Sequence, residues 1–327
     1  MGCEKSLPVT QTYSNTETQG KVQPSEPKVF LRSATNRIVR SDLGLISDHF
    51  KVLKAIGTNR LGTMLYAQDI QTGTYRAIRE VSKNLLRDNP KSYQEIEILK
   101  DFDHPNIIKA FQTIETSINY YNVFEYLNGL SLKEKVKRNG NEIALSKYVH
   151  EIIGGLNYMH LQKVVHCNLN PSNILFSEGA EESIPKIIGF NFAQRLDDMY
   201  PIDLKNLSYL YVSPEILKKK FNEKTDMWSL GVIVYEILVG KHPYVSKDKH
   251  DIIKEIYRGE LDYENPNFIG LSFNAQDFIK KLLNVISDER LSAKEALNHP
   301  WLSLSAKENI LNYEAMMRLR NFKVSGM

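Results

Sequence analysis

Cysteine is nearly missing from this 327-residue chain: there are two, Cys3 and Cys167, far apart and in no C-x-x-C pair. That spacing argues against a disulfide framework and a structural zinc site. An excess of one charge is missing too. With 42 Lys+Arg against 39 Asp+Glu the net charge is +3, which excludes a strong basic field and nucleic acid as the default partner. No apolar run reaches the roughly 20 residues of a membrane span; the longest, MWSLGVIVYEILV over 227–239, reads as a buried helix. The N-terminus lacks the apolar core of a signal peptide, which predicts a cytoplasmic protein or one attached to a membrane from its cytosolic side. The eight histidines form no H-x-x-x-H pattern and nothing matches D-x-[DN]-x-[DN]-G-x5-E. Neither a histidine metal site nor a calcium site is therefore expected.

At roughly 150 residues per domain, the length suggests about two compact units. Residues 1–46 stand apart: they are rich in Ser, Thr, Gln, Pro and Lys, show no period, and read as a disordered tail. Their first six residues fit M-G-x-x-x-[ST], with Gly2 placed for myristoylation and Cys3 for palmitoylation. Two acyl chains give a stable membrane anchor where one gives a marginal one. From Phe50 the pattern alternates: FKVLKAIG, MLYAQDI and YRAIREV, with a turn at Thr72-Gly73, predict a three-strand meander. Residues 88–100 predict a helix with Pro90 in its first turn, and two more strands fit near 108–116 and 120–126. After Gly129 the pattern is mainly helical, with helices near 145–163, 214–220, 225–240, 248–257, 274–284, 292–298 and 305–320.

Short motifs follow one another along this frame. They are GTNRLGTM (57–64), RAIR (76–79), Glu95, HPNI (104–107), VHCNLNPSNILF (165–176), IIGFNFA (187–193), SPE (213–215), DMWSLGVIVYEIL (226–238) and RLSAKEALNHPWL (290–302). In order and spacing this set resembles the eukaryotic protein kinases over about residues 50–302. The resemblance implies an α+β, bilobal kinase-like fold, with a small β-rich lobe over 50–126, a larger helical lobe over 127–302, and a helical extension over 303–327. The MGC start, the HPNI and AKEALNHPWL wording and the helix NILNYEAMMRLRNFK are similar to the calcium-dependent protein kinases of plants and protists.

Phosphoryl transfer in that family rests on positioned charges, and each can be sought here. The catalytic-base position is Asn168, whose amide cannot accept a proton at neutral pH; losing a general base typically forfeits about 10²–10⁴ in rate. The metal-aspartate position is Gly189, without a side-chain oxygen, which leaves Asn173 as a weak sole metal ligand. Asn170 replaces the loop lysine. Arg79 replaces the third-strand lysine, keeping the charge beside Glu95 but in a planar fork. Asn59 replaces the middle glycine of the phosphate loop, between Gly57 and Gly62. Ser131 and Ser172 stand where acids often read basic substrates, and Cys167 stands where an arginine often holds phosphate on the activation segment.

Other positions are kept. His166, Phe190 and Asp226 match residues that tie the catalytic loop to the central helix, and Glu215 and Arg290 match a buried ion pair. Ile56, Met64, Ala77, Leu175 and Phe124 match the lining of the adenine pocket, which the resemblance allows to hold ATP without productive Mg²⁺. The same side chains can instead pack against one another in an empty cleft. Lys218–Lys220 reads as a solvated helix end, Trp228 and Trp301 as core, and Cys167 as an inert thiol. The expected function is a membrane-tethered pseudokinase that scaffolds or regulates a protein partner, for example an active kinase. Two alternatives stay open: an atypical active Ser/Thr kinase drawing on Asp197 or Asp198, and a nucleotide sensor.

Overall fold

The protein, seen in a computed structural model, is described over residues 40–43, 45–59, 62–84, 94–139, 141–177, 183–200, 202 and 207–303. The small lobe is built on one mixed sheet. Its strands are β1 (Arg40–Leu43), β2 (Phe50–Asn59), β3 (Gly62–Asp69), β4 (Tyr75–Ser82), β5 (Ala110–Glu115) and β6 (Asn119–Glu125), in the order β1-β5-β6-β4-β3-β2. All neighbours are antiparallel except β1 and β5, which run parallel. The expected tail over 1–46 is thus corrected at its end: residues 40–43 pair with the sheet edge, and α1 (Ile46–His49) leads into β2. Gly2, Cys3 and the expected helix at 305–320 lie outside the described residues.

Local chemistry explains the meander. Asp69 Oδ1 accepts from the backbone N–H groups of Gln71 (3.0 Å) and Thr72 (2.9 Å), closing the turn before Gly73 at φ 69°. Gly62, at φ 126°, lets β3 approach β4: a Cβ there would stand 1.9 Å from the Glu80 carbonyl oxygen. Phe50, Ala67, Ile78, Ile114 and Val123 form a small core within this lobe. Helix α2 (Gln94–Leu99) turns Ile96, Ile98 and Leu99 into the main core instead.

The large lobe contains α3 (Leu132–Asn139), α4 (Glu142–Leu161), α5 (Pro214–Leu217), α6 (Lys224–Val239), α7 (Lys249–Arg258), α8 (Pro266–Ile269), α9 (Phe273–Leu282) and α10 (Ala293–Ala296). Helix α4 is capped by Asn141, whose Oδ1 accepts from Ala144 N at 2.8 Å. Helix α6 is buried on nearly every side and ends at Gly240, φ 80°. Such an all-round apolar helix belongs at the centre of a domain. Trp228 on α6 and Trp301 near its end of the chain are both fully buried, as expected of core residues. No helix among the described residues is long and apolar enough to cross a membrane.

Between α4 and α5 run the short strands β7 (Val164–Val165), β8 (Ile174–Phe176), β9 (Pro185–Ile187) and β10 (Gln194–Arg195). β7 pairs with β10 and β8 with β9. These two ribbons hold the loops that carry residues 166–173 and 188–193 against each other, below the small lobe.

Candidate functional site

Asp226 anchors the first loop. Fully buried on α6, its Oδ2 accepts from His166 N (2.9 Å) and lies 2.9 Å from His160 Nε2, while Oδ1 accepts from Cys167 N at 2.9 Å. Cys167 takes φ 62°, a costly angle for a residue with a Cβ, and these bonds hold it there. His166 Nε2 lies 2.9 Å from the Ile188 carbonyl oxygen, and its Nδ1 faces Asn168 N at 3.3 Å. One donor and one acceptor fit a neutral imidazole carrying its proton on Nε2. Burial lowers the pKa of this ring, against the opposing pull of Asp226 and the Ile188 carbonyl. The rings of His166 and Phe190 meet edge to face at 5.0 Å, and Phe190 meets Phe102 in the same way at 5.9 Å. The expected tie from loop to central helix is therefore present.

The rest of the loop is an amide network. Asn168 Oδ1 accepts from Ser208 N at 3.2 Å, and its backbone oxygen accepts from Asn170 Nδ2 (2.9 Å) and Asn173 Nδ2 (3.0 Å). Asn170, 6% exposed, also accepts from Ser172 N at 3.0 Å, capping the turn Pro171–Asn173. Gly189 has φ 79°, and a Cβ on it would meet Asn173 Oδ1 at 2.4 Å. The Asn173 amide thus fills the space that a side chain at 189 would enter. Among the described residues no group of three or more His, Cys, Asp or Glu is placed to hold a metal ion.

Arg79 and Glu95 form the expected ion pair, from β4 to α2. The same guanidinium nitrogen, Nη1, donates to Asn191 Oδ1 at 2.7 Å. Ala77 faces Phe124 across β4 and β6, and Met64 faces Arg79 across β3 and β4. Phe124 is 2% exposed and Ala77 packs against the main core, so both help close the cleft from behind. Leu175 on β8 bridges to Ser131. Ile56 sits at an irregularity of β2 and is 43% exposed; Gly57 is open, with nothing within 4 Å of an added Cβ. Arg60 and Leu61 lie outside the described residues, and β2 and β3 close on them through the pair Asn59–Gly62.

Position 167 carries the buried thiol of Cys167 and no cation. That residue packs with Val165, Leu207, Val212, Ile216 and Phe221, and burial pushes its thiol well above the ordinary value. A protonated, enclosed thiol is inert, as expected. Arg290 Nη2 lies 2.7 Å from Glu215 Oε1 as a buried ion pair. Its Nε and Nη1 donate to the carbonyls of Asn284 (2.9 Å) and Lys224 (2.8 Å). Desolvation lowers the Arg290 pKa and Glu215 opposes it, so the buried pair stays as a charge-matched anchor.

Ser131, which the sequence placed at a substrate-reading position, caps α3 through Glu134, with Oγ–Oε2 at 2.6 Å. Several other residues here were not singled out from the sequence. Lys133 Nζ (2.7 Å) and Tyr211 Oη (2.6 Å) converge on Glu236, joining α3, the turn Tyr209–Tyr211 and α6. Asn191 carried a readable signal, since it stands where D-F-G ends in glycine. Ser208 and His160 carried none, because their contacts are made by residues distant in the chain. Lys218–Lys220 is exposed, as expected, with Lys218 Nζ 5.8 Å above the Tyr257 ring.

Comparison with known proteins agrees with this architecture. The model of the protein kinase domain matches residues 50–302. The chain is 30% identical over 304 residues to calcium-dependent protein kinase 3 of Plasmodium yoelii yoelii, covering 88% of this chain and 56% of that protein. It is 32% identical over 276 residues to calcium-dependent protein kinase 4 of Plasmodium falciparum (isolate 3D7), covering 83% and 52% respectively. The chain spans about half the length of the curated relatives it matches. With the match across most of the chain, a bilobal fold and a loop anchored on Asp226, the chain belongs to the protein kinase family.

Proposed function

We propose that this chain is a pseudokinase, a protein-binding scaffold or allosteric regulator that keeps the kinase frame without its phosphoryl transfer. The observation that carries this reading is the closed amide cluster at Asn168, Asn173 and Gly189. A catalytic base has to accept a proton from the substrate hydroxyl. Asn168 cannot accept that proton, and its side-chain oxygen is already engaged by Ser208 N–H. A magnesium ion asks for hard oxygen ligands, usually carboxylates. Gly189 offers none, and the Asn173 amide is turned into the Gly189 space with its Nδ2 bonded to Asn168. These residues do not fit a divalent cation.

The adenine side of the cleft is less altered. Met64, Ala77, Phe124 and Leu175 remain apolar around it, and stacking of a base needs no metal. ATP entering without a productive cation is the ligand this cleft supports. A thermal-shift titration with ATP, in Mg²⁺ and in EDTA, tests the reading. Scaffolding alone predicts no shift, and nucleotide sensing predicts a shift that survives EDTA. A shift seen only with Mg²⁺ would contradict the reading and favour an active kinase.

The membrane tether belongs to the same proposal and rests on the M-G-C start. Changing Gly2→Ala is expected to move the protein from the membrane pellet to the supernatant on cell fractionation. An unchanged distribution would remove the tether. The protein partner, an active kinase in the simplest form of the proposal, would meet the outer faces of a fold whose interior is already assembled.

A further inference from the structure

Arg79 is a cation of the cleft, and its contacts set what an anion beside it would meet. Its side chain is 12% exposed, and its guanidinium carbon lies 5.9 Å from the centre of the Phe124 ring. An Nη nitrogen carries two hydrogens. In Arg79 Nη1, one faces the Glu95 carboxylate on α2 and the other faces Asn191 Oδ1 at 2.7 Å. Asn191 sits in the turn Phe190–Phe192, immediately after Gly189, so the second contact crosses from the small lobe to the large one. Glycine at 191 could make no such side-chain contact.

We infer that Asn191 is a positioning residue: it engages Arg79 as a strap between the lobes and competes with any polyphosphate entering the cleft. Arginine binds phosphate best as a fork, through two N–H groups on different nitrogens. With Nη1 engaged by Glu95 and Asn191, the fork across the two Nη nitrogens is taken, so a phosphate must use the Nε–Nη2 edge or displace a partner of Nη1. Glu95 is the stronger partner because it is charged. The neutral amide of Asn191 is the one a polyphosphate would displace. Polyphosphate binding would then cost the Arg79–Asn191 contact. The inference deepens the proposed function and rests on its reading of the cleft as an adenine nucleotide site.

The test measures dissociation constants of ATP and of adenosine, both in EDTA, for the full chain and for Asn191→Ala and Asn191→Asp. Alanine keeps the turn and frees Nη1, so ATP affinity is expected to rise by about tenfold, the factor that 1.4 kcal/mol sets at 25 °C. Aspartate strengthens the strap and repels phosphate, so ATP affinity is expected to fall below that of the unaltered chain. Adenosine carries no phosphate, and its affinity is expected to be the same in all three. A residue that merely supported the fold would show the opposite pattern, with affinity unchanged or lowered on its removal. Equal ATP affinity in all three proteins, with adenosine still bound, would overturn the strap and leave the nucleotide site standing. Failure of all three to bind either ligand would overturn both, and the adenosine arm separates the two cases. Amide hydrogen exchange guards against a folding artefact: Asn191→Ala should quicken exchange in residues 94–99 and 190–195 without unfolding the β-sheet. Unchanged exchange in both segments would also count against the strap.

Discussion

His242 has both ring nitrogens buried and no hydrogen-bond partner among the described residues. The Tyr211 ring meets it edge-on at 5.4 Å and the Tyr244 ring lies 4.8 Å away. Desolvation pulls its pKa down to about 4; Lys133 adds to that, and Glu236 opposes it. A free histidine titrates near 6.5, so between about pH 6.5 and 4 the unfolded chain binds a proton that the fold refuses. Stability from this group is full above about pH 6.5 and is lost as pH falls toward 4. Burial lowers His104, His166 and His299 as well, so all four act in the same direction. Melting temperature is expected to fall on acidification over this window, and His242→Phe is expected to flatten the slope. An unchanged slope in that variant would assign the acid sensitivity to the other three. At the same scale, the short amide of Asn170 caps the next turn and satisfies Asn168 O.

At the scale of elements, α6 and α9 pack closely enough to require glycine. A Cβ on Gly231 would stand 2.9 Å from Leu282 Cβ and 2.8 Å from Leu283 Cδ2. Overpacking of this kind costs about 1–3 kcal/mol. Gly231→Ala is expected to destabilise by that amount in urea denaturation, and a change under about 0.5 kcal/mol would show that the helices can part. Strong periodicity made most elements legible in advance: the meander, β5 and β6, and the helices at 224–239 and 273–282 lie close to where alternation and apolar spacing put them. Helix α3 was harder to see, because among its described side chains only Leu132 and Val136 are buried and it relies on the Ser131–Glu134 cap. Strand β1 was missed and read as tail. Its four residues RSDL carry no alternation, and its partner β5 lies about 70 residues away, so no local signal marks it. Of the site, residue identities at 79, 168, 170 and 189 were legible by position. Their contacts with Asn191, Ser208 and one another were not, since each depends on loops brought together by folding.

At the scale of the whole molecule, the two lobes are one kinase frame with a continuous core running from Ile96 through Phe190 to Trp301. Charges that hold the frame survive: Asp226 under the catalytic loop, Arg290 with Glu215 under the activation segment, and Glu95 with Arg79 between strand and helix. In the proposed reading, the positions that would handle a proton or a metal are the amides Asn168 and Asn170 and the glycine Gly189. This division explains why the composition, with a charged fraction of 25%, looks like that of any folded enzyme. We propose that the frame is kept and the transfer chemistry is not. The most direct test is phosphoryl transfer from γ-labelled ATP to a generic protein substrate, with the full chain in excess and Mg²⁺ or Mn²⁺ present. The account predicts label transfer no faster than in an Asn168→Ala control. Transfer at ordinary kinase rates, about 1–100 s⁻¹, that is lost in the Asn168→Ala protein would contradict it.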